Sequence, residues 1–371
     1  MEFPPEYQRA YALLLCCARA HWDLPYEERG TQLIQDGVSW DDLIWLAEFH
    51  GVWPMVYENL TKICRDTLPD AVDDRLRRRT HATATHGVFL TKELGRLLTL
   101  FEARGLPALS FKGPVLAQIA YGDIKRRPCL DLDILVPRTQ YQEATRLLIE
   151  DGYIPHEKVA KLSGIQEQMY LWLARQYPFR RGASVFNIDL HIDIMPPLYG
   201  YDVGFETLWQ RAELFRVGGE TVRSFEVEDH LQILCYHGAK NRWEALKYVC
   251  DVAELIQSFP GLDWSRLAER ARRTKGERIL YLGLYLAHTL LDAAVPSDVL
   301  AYALRQPRVQ PVAESVIQRL PGQIRRGVAG FGERFRFHLA TQDTWGGKLR
   351  YGSIALVRRG MGLLQPGTHP V

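Results

Sequence analysis

One stretch constrains this chain more than any other: Phe111-Lys112-Gly113-Pro114, followed by Arg127-Pro128-Cys129-Leu130-Asp131-Leu132-Asp133-Ile134-Leu135-Val136. An apolar run of strand length carries two aspartates one residue apart. A strand alternates its side chains, which sends Asp131 and Asp133 to one face and Leu130, Leu132, Ile134 and Val136 to the other. Two neighbouring carboxylates repel each other, and a cation between them removes the repulsion. Mg²⁺ suits such a place, because it takes oxygen ligands and keeps waters and substrate phosphates in its shell. Upstream, Lys112-Gly113 reads as a strand-to-helix turn with Pro114 at the first helical position. Such a turn is the natural phosphate end of the same site.

A second strand supplies the other half. Residues 185–194 alternate strictly, with Phe186, Ile188, Leu190, Ile192 and Ile194 toward a core and Asn187, Asp189, His191 and Asp193 on the opposite face. Asp189 is the choice for a third carboxylate, as metal ligand or proton acceptor from an attacking hydroxyl, and Asp193 is its rival. His191 would orient that acid, hold a phosphate or act as base, and a structural histidine is equally compatible. Arg127 would reach a phosphate or brace the carboxylates, with a solvated loop charge as the alternative. Lys125 and Arg126 read as loop charges. Further on, His237 and Lys240 share one helix face and would bind a triphosphate or an acceptor, unless they form a polar edge. Asp251 stands out beside them. Trp172, Trp209 and Trp243 read as core.

Around these strands the chain divides into an N-terminal helical region (1–104), a catalytic core (105–227), a C-terminal helical domain (228–320) and a helical or irregular tail (321–371). Periodicity places helices from Pro5 with Tyr11, Leu14, Leu15 and Ala18 as the buried stripe, and from Trp40 to His50 between a Ser39 cap and Gly51. It places others from Pro54 to Leu60 and from Asp70 to Arg104, with a break near Gly87. In the core, Leu106–Phe111 is a strand, Gly113–Tyr121 a helix, and Thr139 with Gln142 a capping box for a helix to Asp151. Gly164–Gln176 is helical and Thr221–Val227 a last strand. Asp229 would cap a helix to Gly238, Asn241–Phe259 continues it, and Ile279–Leu291 is core. Ala301–Leu320 and Leu349–Arg359 are helical, and Gln365–Val371 looks disordered. The class is α+β, a small sheet backed by helices.

Of the 371 residues, 47% are apolar and 24% charged, with a net charge of +2, so a soluble globular protein is expected with no demand for nucleic acid or an anionic membrane. Six cysteines without a CxxC pair fit reduced thiols in a cytoplasmic protein and give no zinc spacing. The apolar run Tyr11–Ala18 follows Glu2, Glu6 and Arg9, which fits an amphipathic helix rather than a signal peptide, and no run approaches the ~20 apolar residues of a membrane span.

Taken together, Phe111-Lys112-Gly113, Arg127-x-x-x-Asp131-x-Asp133, Ile188-Asp189-Leu190-His191 and His237-x-x-Lys240-x-x-Trp243 with Asp251 resemble the bacterial nucleotidyltransferase-like family of the DNA polymerase beta superfamily. The lead-in Glu48–Tyr57 is similar too, and the likeness spans roughly residues 10 to 260. The resemblance implies a minimal nucleotidyltransferase fold, a small mixed sheet with flanking helices. It implies transfer of a nucleoside monophosphate from an NTP to a hydroxyl, with release of pyrophosphate. By that likeness Asp131, Asp133 and Asp189 hold Mg²⁺ or Mn²⁺, and Lys112-Gly113 is the phosphate turn where the wider superfamily has Gly-Ser. Arg127, His191, His237 and Lys240 join the NTP site. A small-molecule or peptide acceptor is favoured, because the composition gives no strongly basic surface. A toxin-like enzyme modifying protein or tRNA, a non-catalytic nucleotide-binding regulator and a metal-dependent phosphohydrolase are the alternatives. The acceptor, the NTP and the oligomeric state are left open.

Overall fold

The computed structural model describes residues 3–162, 164–181, 186–201, 203–322 and 329–360. Five N-terminal helices, Pro5–Cys17, Leu24–Gln35, Trp40–His50, Trp53–Ile63 and Asp70–Ala103, build one flank. Ser39 caps the third, its Oγ accepting from the Asp42 N–H at 3.4 Å, and Gly51 closes it in the left-handed conformation at φ 70°. The first helix buries Tyr7, Ala10, Leu13, Leu14 and Cys17, so its inward stripe is rotated from the expected one: Tyr11 and Leu15 are only half-buried. The long helix runs unbroken through Gly87. A Cβ there would stand 3.3 Å from the Ile124 carbonyl oxygen, so the glycine serves a close approach rather than a break.

The middle of the chain forms a five-stranded mixed sheet from β1 (Leu109–Ser110), β2 (Leu132–Leu135), β3 (Ile154–Pro155), β4 (Gln176–Arg181) and β5 (Phe186–His191), in the order β1-β2-β5-β4-β3. Only β2 and β5 are parallel. A separate hairpin pairs β6 (Glu213–Val217) with β7 (Glu220–Ser224) across Gly218-Gly219. The apolar sides of the central pair, Leu132, Ile134, Ile188 and Leu190, are fully buried. The helix Gly113–Tyr121 follows β1 and packs on Leu246–Ser258, joining the sheet to the C-terminal helices.

Several expectations are corrected here. The first strand is two residues long rather than Leu106–Phe111. Pairing of β2 with β5 starts at Leu132↔Ile188, so Leu130 lies before the ladder and is half-exposed instead of facing the core. Gln176 is not a helix end: the helix spans Ile165–Ala174, Arg175 takes φ 62°, and Gln176 opens β4, a strand with no clean alternation in the sequence. β7 ends at Ser224 rather than Val227. The expected capping box does not form, because a tight turn at Arg138–Gln140 leads into the helix Tyr141–Glu150, which has no side-chain cap. Val185, placed on the second polar strand, and Gln365–Val371 lie outside the described residues.

The C-terminal helices are Val227–Lys240, Leu246–Ser258, Trp264–Arg273, Glu277–Leu291, Ser297–Arg305, Val309–Arg319, Phe331–Thr341 and Trp345–Gly360. Glu226 rather than Asp229 stands at the N-cap of the first. Asp229 is buried one turn in, with Arg211 at 2.9 Å and Arg270 at 3.1 Å. Asn241–Phe259 is interrupted, since Arg242 and Trp243 take φ 54° and 56° and turn the indole of Trp243 into the interior. Ala301–Leu320 is likewise two helices, parted where Arg308 takes φ 74°. Glu277–Leu291 is buried along most of its length, as its composition requires. Trp209 is half-buried against the core, whereas Trp172 is 44% exposed and is not a core residue. All six cysteines are free and buried. Among the described residues no helix is long and apolar enough to cross a membrane.

Candidate active site

The parallel pairing of β2 with β5 sets Asp133 directly across from Asp189. Residues in register on adjacent strands point to the same side, so both carboxylates enter one pocket. Asp131 enters it from the residue before β2. The pocket is also lined by Lys112, Gly113, Arg127, Gln176, His237, Lys240 and Lys247, and by the buried Gly51, Trp53 and Tyr248.

The Lys112-Gly113 turn is held against the segment leading into β2 by its glycine. Gly113 takes φ 54°, and a Cβ on it would stand 2.9 Å from the Asp131 carbonyl oxygen. This brings Lys112 over the acids, and its Nζ lies 3.3 Å from Asp133 Oδ1. His191, at the end of β5, sits 2.9 Å by Nε2 from the same oxygen. Its ring packs edge-on to Phe111, with centroids 5.1 Å apart. His191 therefore orients Asp133 rather than Asp189. The partner of Asp189 is Gln176, whose Nε2 donates to Oδ2 at 2.5 Å.

The electrostatics separate the three acids. Burial opposes the charge on Asp133, but Lys112 and His191 outweigh it and hold this carboxyl far below the usual range. Burial, and then the neighbouring Asp133, push Asp131 up to about 6. Burial, and then Asp131 and Asp133, push Asp189 up to about 8. His191 is lowered by burial, against the pull of Asp133, and is neutral. Burial and the nearby Lys112 bring Lys240 down to about 8, and burial with the same cations takes His237 well below its usual value.

The donor set suits a hard divalent cation. Asp133, Asp189 and His191 offer ligand atoms all within 4.8 Å of one another. Asp131 is outside that closest group, so the arrangement differs from a simple three-aspartate set, although its charge raises Asp189 and it is itself raised by Asp133. Two carboxyls forced toward their protonated forms mark a cluster short of positive charge, which a cation would supply.

Other sequence candidates are placed differently. Asp193 lies beyond β5. Its Oδ1 accepts from the Ile194 N–H at 2.8 Å, and Arg175 is 3.9 Å away. Asn187 is on β5 opposite Arg180 and does not line the pocket. The guanidinium of Arg127 lines the pocket but is engaged by Asp251, with Nε and Nη2 donating at 2.7 and 3.0 Å. Tyr121 donates to the same carboxylate at 2.7 Å. Asp251 is thus the anchor of the basic loop. Arg126 is paired with Glu58 at 2.7 Å, and Lys125 is exposed. His237 and Lys240 do share one face of their helix and both reach the pocket. Gln176, Lys247, Trp53 and Tyr248 were not among the sequence candidates. No short motif marks them, and only their convergence in space does.

An antigenic nucleotidyltransferase-like protein from Paracoccidioides brasiliensis is similar at 15% identity over 57% of this chain and 96% of its own, with a TM-score of 0.32. No curated protein matches the chain significantly. The model of a family described as uncharacterised nucleotidyltransferases matches residues 36–292, which include every residue lining the pocket, and the chain belongs to that family.

Proposed function

We propose that this nucleotidyltransferase moves a nucleoside monophosphate from an NTP to a hydroxyl of a small-molecule or peptide acceptor and releases pyrophosphate, using Mg²⁺ or Mn²⁺. The observation that carries this reading is the in-register pair Asp133 and Asp189, with Asp131 and His191 beside them and Lys112-Gly113 above. A divalent cation held by the aspartates would neutralise the phosphates and activate the attacking hydroxyl. Asp133, kept ionised and fixed by His191 and Lys112, is the constant anionic ligand. Asp189, whose carboxyl has the highest proton affinity of the three, is suited to accept the proton of the acceptor hydroxyl. With a cation on the aspartates, Lys112 would be available to the phosphates, and Lys240, which lines the same pocket, would be a second cation for the polyphosphate chain. Arg127, locked to Asp251, shapes the floor of the pocket.

The test is incubation with each of the four α-³²P-labelled NTPs and Mg²⁺, with cell lysate as the acceptor pool, comparing the natural protein with Asp131→Ala/Asp133→Ala. Label transferred by the first and absent from the second supports the reading and shows the base preference and acceptor size. Release of orthophosphate or pyrophosphate without a labelled acceptor, or cation-dependent binding without turnover, overturns it.

A further inference from the structure

The cations of the pocket fall into two groups. Lys112 and Arg127 already hold carboxylates, Asp133 at 3.3 Å and Asp251 at 2.7 Å. Lys240 and Lys247 line the same pocket, and among the described residues neither forms an ion pair with a carboxylate. Both are partly withdrawn from water, and a cation so placed without a paired carboxylate is stabilised when an anionic ligand joins it. Lys240 stands with Lys112 on the Asp133 and Asp189 side. Lys247 lines the pocket together with Arg127 and Asp131, and it feels the carboxylates of Asp251 and Asp131.

The position of Lys247 is built by two regions that lie far apart in the sequence. Its side chain crosses Gly51, where a Cβ would meet Lys247 Cδ at 2.9 Å and its Cβ and Cγ at 3.7 Å. Gly51 is thus doubly required, by its φ of 70° and by the lysine stem lying on it. The preceding residue, the fully buried His50, fixes the start of the lysine's helix, its Nδ1 accepting from the Leu246 N–H at 3.1 Å. The ammonium lies 5.5 Å from the ring centroid of Tyr248, another residue of the pocket wall.

We infer that Lys247, seated on Gly51, is a second oxyanion-binding position of this pocket, on the Asp131 side, and receives a phosphate group of a substrate. This deepens the nucleotidyl-transfer reading. The oxyanion belongs either to the donor's triphosphate or to an acceptor carrying a phosphate near its hydroxyl.

The test is calorimetric titration of the natural protein, Lys247→Met and Lys247→Arg with three probes: inorganic pyrophosphate without metal, α,β-methylene-ATP with Mg²⁺, and glucose 6-phosphate added to the complex with the ATP analogue. Lys247→Met is expected to weaken at least one probe about tenfold, the size of one charge-assisted hydrogen bond, with most of that restored in Lys247→Arg. A loss confined to the first two probes assigns the donor's phosphates. A loss confined to glucose 6-phosphate assigns the acceptor. Equal binding of all three probes by the natural protein and Lys247→Met overturns the inference, as does absence of binding to any of them in the natural protein. Loss of ATP-analogue binding in Asp133→Asn reports on the cation site instead, so a failure of that reading is distinguishable. Unchanged thermal midpoints of the Lys247 variants separate a lost contact from a lost fold.

Discussion

Asp133 and Asp189 face each other in register across the two parallel strands of the sheet, and the first is held ionised while the second is driven toward its protonated form. The difference comes from their partners: Lys112 and His191 attend Asp133, whereas Asp189 accepts from the neutral amide of Gln176 and is pushed up by burial and by the other two acids.

This asymmetry makes stability depend on pH and on the cation. Asp131 and Asp189 have folded-state values raised to about 6 and about 8, above 3.8 for the free group. Between those limits the folded chain keeps protons that the unfolded chain has released, so their contribution to stability falls as pH rises from about 4 to about 8. Asp133 has the opposite sign, and its contribution is lost as pH falls below about 4. Thermal melts in EDTA should show a midpoint declining toward pH 8, and added Mg²⁺ should remove most of that decline. Identical profiles with and without Mg²⁺ would exclude a cation at the acids.

Asp189→Asn should abolish label transfer, with a loss of at least about 10²-fold, the scale of a lost general base. Asp193→Asn should change it less than about threefold, because that carboxylate is spent on the Ile194 N–H and Arg175. The reverse ranking in the labelled-NTP assay would make Asp193 the third acid.

Asp251→Asn leaves the guanidinium of Arg127, 13% exposed, without its counter-charge. Breaking a buried pair from one side costs about 3–5 kcal/mol, whereas replacing both partners with apolar residues is far milder. Urea unfolding should therefore find Asp251→Asn less stable than Arg127→Met/Asp251→Leu. Equal losses would mean that Arg127 is solvated in the free protein.

Gly113→Ala should cost about 1–2 kcal/mol from its left-handed backbone alone, and more from the approach of Cβ to the Asp131 carbonyl oxygen at 2.9 Å. Since that oxygen belongs to the residue that leads into β2 and lines the pocket, ATP-analogue binding should weaken along with the thermal midpoint. A stable variant with unchanged binding would remove Gly113 from the phosphate turn.

Much of the site was legible as pattern. Lys112-Gly113-Pro114 starts a helix because proline fits its first turn and glycine tolerates the required φ. The alternation of β5 was clear because one face is dry. Less legible were β4, whose Gln-Tyr-Pro-Phe-Arg-Arg has no clean period, and the half-exposed Leu130, where strand pairing had not yet begun.

The sequence by itself determined the apolar strands, the acids at alternate positions and the turn before them, because side-chain period and backbone sterics act over a few residues. Tertiary structure alone decided that Asp133 faces Asp189, that His191 serves Asp133, that Arg127 is locked to Asp251, and that Lys247 comes to rest on Gly51. Those are facts of register and packing between segments from 56 to nearly 200 residues apart. Local propensity does not encode them. They follow from burying every apolar face at once, which fixes where each polar side chain is left to point.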